Sequence, residues 1–153
     1  MPGIFGFVCK QGGDRSANEA LLKKMGEILS HTEGYELQTY AENWFGFGLI
    51  GLPIPGEERF AVDQNRGLAT SFNGFIYGFQ KLPENLAQHT TGKATRLADI
   101  YEHESAHFPE KLNGSFNAIV IDLKLRTAAS RSAAPAAELP PECVAKILHR
   151  GLR

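Results

Sequence analysis

Residues 103–107 contain two imidazoles and a carboxylate at a spacing that can do chemistry. Their sequence, His-Glu-Ser-Ala-His, is the HExxH pattern. On an α-helix it turns both imidazoles to one face for zinc and offers the glutamate as a general base. Pro109 disfavours helical geometry at Phe108, so we expect the helix to end at or before the second histidine. A third ligand is also needed, and the nearby carboxylates are Glu110 and Asp122. A zinc hydrolase therefore stays an alternative, and we expect no bound metal.

Pro2 is a second residue with reactive potential. After removal of Met1 its secondary amine would be a general base of the α-amino kind, as in tautomerases that begin with proline. An arginine-lined pocket for an acid substrate is not evident in the sequence. A Pro2-dependent catalyst is therefore an alternative with no further support.

The two cysteines, Cys9 and Cys143, are far apart and form no Cys-x-x-Cys pair. This spacing supports neither a disulfide framework nor a cysteine-rich zinc site. We expect reduced thiols, with Cys9 acting as a small, inert hydrophobic side chain.

The elements that must position these residues follow from the hydrophobic periodicity. The apolar run Gly3–Val8 predicts a buried strand. Ser16 and Glu19 form a capping-box pattern, which predicts a helix that ends near Ser30. The apolar spacing predicts that this helix buries Leu21, Leu22, Met25, Ile28 and Leu29.

Strand patterns dominate the middle of the chain. Residues 36–79 are rich in aromatic and β-branched side chains and are broken by turn residues such as those at 63–67. Residues 94–104 predict a second helix, and residues 115–123 predict a buried strand. Aromatic side chains alternate as in a strand core, which favours packing over a platform for nucleic-acid bases: Phe45, Phe47, Phe72, Phe75, Tyr77 and Phe79. Two helices and two groups of strands predict a layered α+β domain.

Composition limits the function classes. The 153 residues are 42% hydrophobic, which fits one domain with a core. The 16 Lys and Arg nearly balance the 17 Asp and Glu, for a net charge of -1, so we expect no binding to nucleic acid or to a membrane surface. The apolar runs are shorter than the roughly 20 residues of a membrane helix, and we expect a cytoplasmic protein.

The character of the chain changes near residue 132. Residues 127–142 are mostly Ala, Ser and Pro, which bury too little apolar surface to order a chain. We therefore expect a domain over residues 1–131 and a linker with a basic tail over residues 132–153. A short amphipathic helix over residues 142–152 is the alternative for the end of the tail.

Three short segments occur in a characteristic order. They are MPGIFGFV at the start, FNGFIYG at residues 72–78 and LNGSFNAIVID at Leu112–Asp122. Together they resemble the N-terminal glutaminase domain of asparagine synthetase and other class II glutamine amidotransferases, over about residues 3–131. The resemblance implies the fold of N-terminal-nucleophile (Ntn) hydrolases, a four-layer αββα sandwich, incomplete here at its C-terminus.

The catalytic positions of that family are altered in this chain. Pro2 stands where the family has its nucleophilic cysteine, and a pyrrolidine ring offers no thiolate to attack a glutamine amide. By resemblance, Asn73 and Gly74 occupy the oxyanion-hole positions. Without the nucleophile, the favoured explanation of this Asn-Gly pair is a sharp turn that tolerates positive φ and has no catalytic role. Asn113 and Gly114 have the same turn chemistry and no evident catalytic task.

The positions that bind glutamine in the family carry uncharged side chains here. The resemblance places the carboxylate-binding arginine at Gly51, a glutamate at Phe75 and the amine-binding aspartate at Ala94. We therefore expect a degenerate, non-catalytic domain that acts as a scaffold or docking module. An amidohydrolase with residual activity is the other enzymatic alternative.

The resemblance also implies a partner. Complete members of the family continue into an ATP-pyrophosphatase synthetase domain, whose Ser-Gly-Gly-x-Asp-Ser loop does not occur in these residues. We expect that domain, or a protein that carries it, as the partner. No cofactor is expected, and the sequence leaves homodimerisation open.

Overall fold

The computed structural model describes residues 3–9, 11–79 and 92–133. The chain divides into two compact units, residues 1–57 and residues 58–153. Pro2, Cys143 and the helix predicted over residues 142–152 lie outside the described residues.

The first unit contains a three-stranded antiparallel sheet and one helix. Its elements are β1 (Gly3–Val8), α1 (Arg15–Leu29), β2 (Glu36–Glu42) and β3 (Phe45–Gly51). The strand order is β1-β3-β2, so β3 is central, and all seven of its residues are buried. The strand predicted over Gly3–Val8 is present, but none of its residues is fully buried and Val8 is 56% exposed, so its predicted burial is wrong. The predicted helix end near Ser30 is confirmed.

The helix α1 begins two residues earlier than the capping box predicted, because its N-cap is residue 14 and not residue 16. Its N-cap is Asp14, whose extended backbone lets the side chain accept a hydrogen bond from the Ala17 N–H at 3.1 Å. The Ser16 hydroxyl donates to Asp14 at 2.5 Å instead of capping the helix, and Glu19 pairs with Arg15 at 2.9 Å. The predicted Ser16/Glu19 capping box is therefore wrong.

The buried face of α1 is also rotated from the predicted one. Its buried residues are Asn18, Leu22 and Gly26. Leu21 is 45% exposed and Ile28 is 74% exposed, so their predicted burial is wrong. Gly26 explains the rotation, because a Cβ there would lie only 2.5 Å from the Leu37 Cδ2 atom. The missing side chain lets this face of the helix approach β2 closely.

The second unit contains a four-stranded antiparallel sheet, one α-helix and a 3₁₀ helix. Its elements are β4 (Phe60–Asp63), β5 (Leu68–Phe79), α2 (Lys93–Glu104), the 3₁₀ helix (Ser105–Lys111), β6 (Leu112–Asp122) and β7 (Thr127–Ala133). The strand order is β4-β5-β6-β7. The predicted helix over residues 94–104 is confirmed. The strand predicted over residues 115–123 is present and begins three residues earlier.

The core of the second unit lies between α2 and one face of the sheet. Its buried members include Phe72, Leu97, Ile100, Phe108, Leu112, Phe116 and Val120. The predicted burial of Phe45, Phe47 and Phe72 is confirmed. Phe75 and Tyr77, in contrast, are 64% and 68% exposed, so their predicted place in the core is wrong.

The described residues thus form a mixed arrangement of two antiparallel sheets and two α-helices. Neither of these two helices is long and apolar enough to cross a membrane.

Candidate functional site

The Asn73-Gly74 pair lies inside strand β5. Asn73 is opposite Asn117 and Gly74 is opposite Phe116 in the neighbouring strand β6, so the predicted turn at this pair is wrong. The predicted positive φ is present, with Gly74 at +121°. A Cβ at Gly74 would collide with the Ser115 carbonyl oxygen and lie 2.7 Å from the Phe116 Cα atom. The position therefore requires glycine for both its conformation and its space.

The second Asn-Gly pair lies in the neighbouring strand β6, opposite Gly78 and Ile76 of β5. Asn113 and Gly114 belong to β6, and Gly114 is opposite Ile76, so the turn predicted here is wrong as well. A Cβ at Gly114 would collide with the Phe75 carbonyl oxygen. The two glycines allow an unusually close approach of the two backbones, next to a register shift between Ile76 and Gly78.

The two faces of β5 have different surroundings. The Thr70 hydroxyl donates to the Ala94 carbonyl of α2 at 2.8 Å, and Phe72 lies in the core with Leu97. Because side chains alternate along a strand, Phe75 belongs to the opposite face. The predicted site positions Phe75 and Ala94 are therefore on opposite faces of this sheet.

Ala94 has a structural task at the start of α2. Its side chain is fully buried, and its N–H donates to the Glu58 carbonyl at 3.1 Å. The Glu58 carboxylate accepts from the Thr95 N–H at 3.1 Å and so stabilises the first turn of the helix. An aspartate at position 94 would place a carboxylate in this buried setting.

Gly51, the third predicted pocket position, ends β3 in the first unit. It is buried and lies opposite Glu36 of β2. The structure thus joins Asn73, Gly74 and Phe75 in one strand. Pro2, the predicted nucleophile position, lies outside the described residues.

The HExxH segment does not lie on one helix. The α-helix ends at Glu104, Ser105 has a φ of +49°, and His107 belongs to the 3₁₀ helix. The prediction that the helix ends before the second histidine is confirmed. The His107 Nδ1 atom lies 3.0 Å from Glu110 Oε1, and both side chains are exposed. Within the described ranges, no group of three or more His, Cys, Asp or Glu residues is arranged to hold a metal ion.

The sequence analysis missed a charge cluster around Arg66. Its guanidinium contacts Asp99 at 2.7 Å, Asp63 at 2.9 Å and Glu102 at 3.2 Å. Hydrogen bonds from the backbone N–H of Arg66, and then from its guanidinium, lower the pKa of Asp63. The side-chain hydrogen bond to Asp63 is in turn the main cause that raises the pKa of Arg66. The cluster ties the turn after β4 to α2, beside a cavity of about 630 Å³.

The sequence carries only part of the signal for this cluster. Asp63 and Arg66 are three residues apart in a predicted turn, and such a pair can be inferred. Asp99 and Glu102 are 33 and 36 residues further along the chain, and no local pattern connects them to Arg66. Because three carboxylates surround one guanidinium, the cluster holds structure together and is not a site for an anion.

Comparison with known proteins adds no assignment. No protein-family model matches the chain, and a search of curated proteins gives no match. The function must therefore be argued from the three sequence segments and from the geometry around β5.

Proposed function

We propose that this chain is a non-catalytic, glutaminase-like domain of the Ntn-hydrolase type that serves as a docking module for an ATP-dependent amide-forming partner. The conformation of Gly74 carries this proposal. In the segment FNGFIYG, which resembles the oxyanion-hole segment of class II amidotransferases, Gly74 has a φ of +121° inside a strand. Regular strands do not require a positive φ. The conformation of Gly74 therefore supports the proposal that this backbone derives from a functional site.

The nucleophile position supports the loss of catalysis. Hydrolysis of glutamine by this class of enzyme begins with attack of a thiolate on the amide carbon. Pro2 has no side-chain nucleophile, and oxyanion donors accelerate a reaction only when a tetrahedral intermediate forms.

The substrate positions support the same conclusion. Glutamine needs a cation for its carboxylate and an anion for its ammonium group. Gly51 and Ala94 are buried and uncharged, and Phe75 is an exposed apolar ring. None of the three positions offers a charge-assisted hydrogen bond to a bound amino acid.

A docking role is supported by the exposed aromatic face of β5. Phe75 and Tyr77 expose roughly two thirds of their surfaces at strand positions that sequence patterns assign to a core. Aromatic side chains of this kind are common anchors of protein interfaces. The partner implied by the resemblance is an asparagine synthetase-like ATP-pyrophosphatase protein.

Two measurements test this proposal. Calorimetric titration of the native chain with L-glutamine, together with an ammonia assay, is expected to give neither binding nor hydrolysis. Ammonia release by the native chain would contradict the loss of catalysis.

The second measurement is binding to a purified asparagine synthetase-like ATP-pyrophosphatase protein from the same organism. We expect a complex that Phe75→Ser weakens and that Leu125→Ser leaves intact. Leu125 is a matched control because it is an apolar side chain with 69% exposure in a turn. Failure of the native chain to bind would contradict the docking role.

A further inference from the structure

The outer edge of β2 in the first unit presents a row of backbone hydrogen-bonding groups. The Cys9 N–H donates to the Trp44 carbonyl at 2.7 Å, so Trp44 directs its backbone groups towards β1. Backbone groups alternate in direction along an antiparallel strand. Even-numbered residues of β3 therefore bond to β1 and odd-numbered residues bond to β2. By the observed register, the residues of β2 whose backbone groups point outward are Leu37, Thr39 and Ala41.

These three residues line a groove beside α1. The cavity of about 410 Å³ is bounded by Leu37, Thr39, Tyr40 and Ala41 of β2 and by Arg15, Glu19 and Lys23 of α1. Residues 36–39 are exposed, and β2 contains no proline. No strand in the described part of the chain pairs with this edge, and an unpaired edge without proline favours pairing with another strand.

One end of the groove is covered in the single chain. Ala41 is only 1% exposed, and the Arg15 guanidinium carbon lies 5.8 Å from the centre of the neighbouring Tyr40 ring. Arg15 also contacts Glu42 at 3.9 Å. A strand that pairs with this edge must displace the Arg15 side chain and offer it another carboxylate.

The helix beside the groove carries charges that suit a second copy of itself. Arg15, Glu19, Lys23 and Glu27 follow one another at four-residue spacing, are all exposed and alternate in sign. Residues at this spacing share one face of a helix. When two copies of this row lie antiparallel, Arg15 of each faces Glu27 of the other, and Glu19 of each faces Lys23 of the other.

The hydrogen-bonding pattern of β2 and the charge row of α1 indicate the same centre for a pair of two copies. The Asn18 side-chain amide donates to the Glu42 carbonyl at 2.8 Å, so Asn18 is level with that end of β2. The middle of the charge row lies three residues beyond Asn18 in α1, a rise of about 4.5 Å. Along β2 this distance corresponds to one or two residues. That point is near Tyr40. An antiparallel β2 pair centred on Tyr40 joins Thr39 of one copy to Ala41 of the other, and both have outward-facing backbone groups.

We propose that the first unit pairs with a second copy of this chain through an antiparallel β2–β2 contact with Tyr40 at the two-fold axis. Each three-stranded sheet becomes half of a continuous six-stranded sheet. The α1 helices then lie on the same face of that sheet with their charge rows opposed. This contact is isologous, as expected for a symmetric dimer, and does not depend on the glutaminase-like assignment.

Sedimentation equilibrium of the full chain over a range of concentrations tests the contact. The native chain is expected to give a monomer–dimer equilibrium that weakens with added salt. Thr39→Pro should raise the dissociation constant by about tenfold or more, since it removes an outward N–H that none of the described strands uses. Thr39→Val keeps that N–H and should dimerise as the native chain does. A monomeric native chain, or a Thr39→Pro variant that dimerises like the native chain, would overturn the proposal.

A charge exchange tests the register independently, even if the proline variant fails to fold. Glu19→Lys and Lys23→Glu each oppose like charges across the axis, so each variant alone should dimerise more weakly than the native chain. An equimolar mixture restores opposite charges at both contacts and should form a heterodimer. The intrachain pairing with Arg15 is unchanged by mixing, so helix stability cannot account for that recovery. A mixture that associates no better than its separate components would overturn the proposed register.

Discussion

At the scale of single residues, Gly74 combines a positive φ with a close backbone contact, and the two together exclude a side chain. A Cβ at this position would meet the Ser115 carbonyl oxygen while φ stays at +121°. We predict that Gly74→Ala lowers the free energy of unfolding by about 2 kcal/mol or more. Gly78→Ala in the same strand is the control, because a Cβ there has no neighbour within 4 Å. Equal urea midpoints for the two variants would show that Gly74 is not strained.

Asp63 gives a residue-scale prediction about acid. Hydrogen bonds from the Arg66 backbone and guanidinium lower its pKa in the folded state. A depressed folded pKa contributes stability above the ordinary carboxyl range, and that contribution is lost as the pH falls below about 4. We predict that Asp63→Asn makes the free energy of unfolding less dependent on pH between about pH 5 and pH 3. An unchanged slope in Asp63→Asn would contradict the prediction.

Residue patterns predicted some of this geometry and missed the rest for a physical reason. The Asn-Gly pair predicted positive φ because glycine adopts it freely, and Gly74 has it. The same pair predicted a turn, since local sequence does not distinguish a turn from a strand that a close neighbour distorts. The contact of Arg66 with Asp99 was equally invisible, because it depends on how α2 packs against the turn after β4.

At the scale of the elements, β5 offers two aromatic side chains with opposite surroundings. Phe72 is fully buried under α2, and Phe75 is 64% exposed on the other face. We predict that Phe72→Ala costs about 3–5 kcal/mol of stability and that Phe75→Ala changes it by about 0.5 kcal/mol or less. Thermal or urea unfolding measures both. A large loss of stability in Phe75→Ala would mean that its face is covered.

The end of α2 yields a prediction about metal. The helix stops at Glu104, so His103 and His107 do not share the helical face that a zinc site of this pattern requires. Elemental analysis of the purified chain is predicted to find no stoichiometric zinc. About one tightly held zinc per chain, lost in His103→Ala, would revive the hydrolase alternative.

The hydrophobic periodicity predicted where helices and strands occur better than it predicted which of their faces are buried. The sequence pattern placed both Phe72 and Phe75 in a core, whereas the structure buries only Phe72, because α2 covers that face of β5. In α1 the apolar spacing suggested Leu21 and Ile28, whereas the close approach at Gly26 turned a neighbouring stripe towards β2. Which face is buried depends on the layer that covers it, and a single strand or helix does not encode that layer.

At the scale of the whole molecule, the chain consists of two units, and each has its own antiparallel sheet. The second unit holds the strand that resembles the oxyanion-hole segment and the exposed aromatic face proposed for docking. The first unit holds the β2 edge proposed for self-association. The dimer and the docking role rest on different residues, so each can fail without the other.

In the proposed function, the glutamine site is altered at several positions and not at the nucleophile alone. Installing the thiol with Pro2→Cys restores the nucleophile and, once Met1 is removed, an α-amine base. Glutamine would still meet Gly51, Phe75 and Ala94 at the positions where the family that the chain resembles has charged groups. Each lost charge-assisted contact is worth about 1.5–3 kcal/mol.

The most direct test is an ammonia assay on the Pro2→Cys variant with glutamine near its cellular range. The account predicts no glutamine-dependent ammonia release above that of the native chain, even though mass spectrometry shows the cysteine at the N-terminus. Clear ammonia release by this single variant would contradict it, because the substrate site would then be intact.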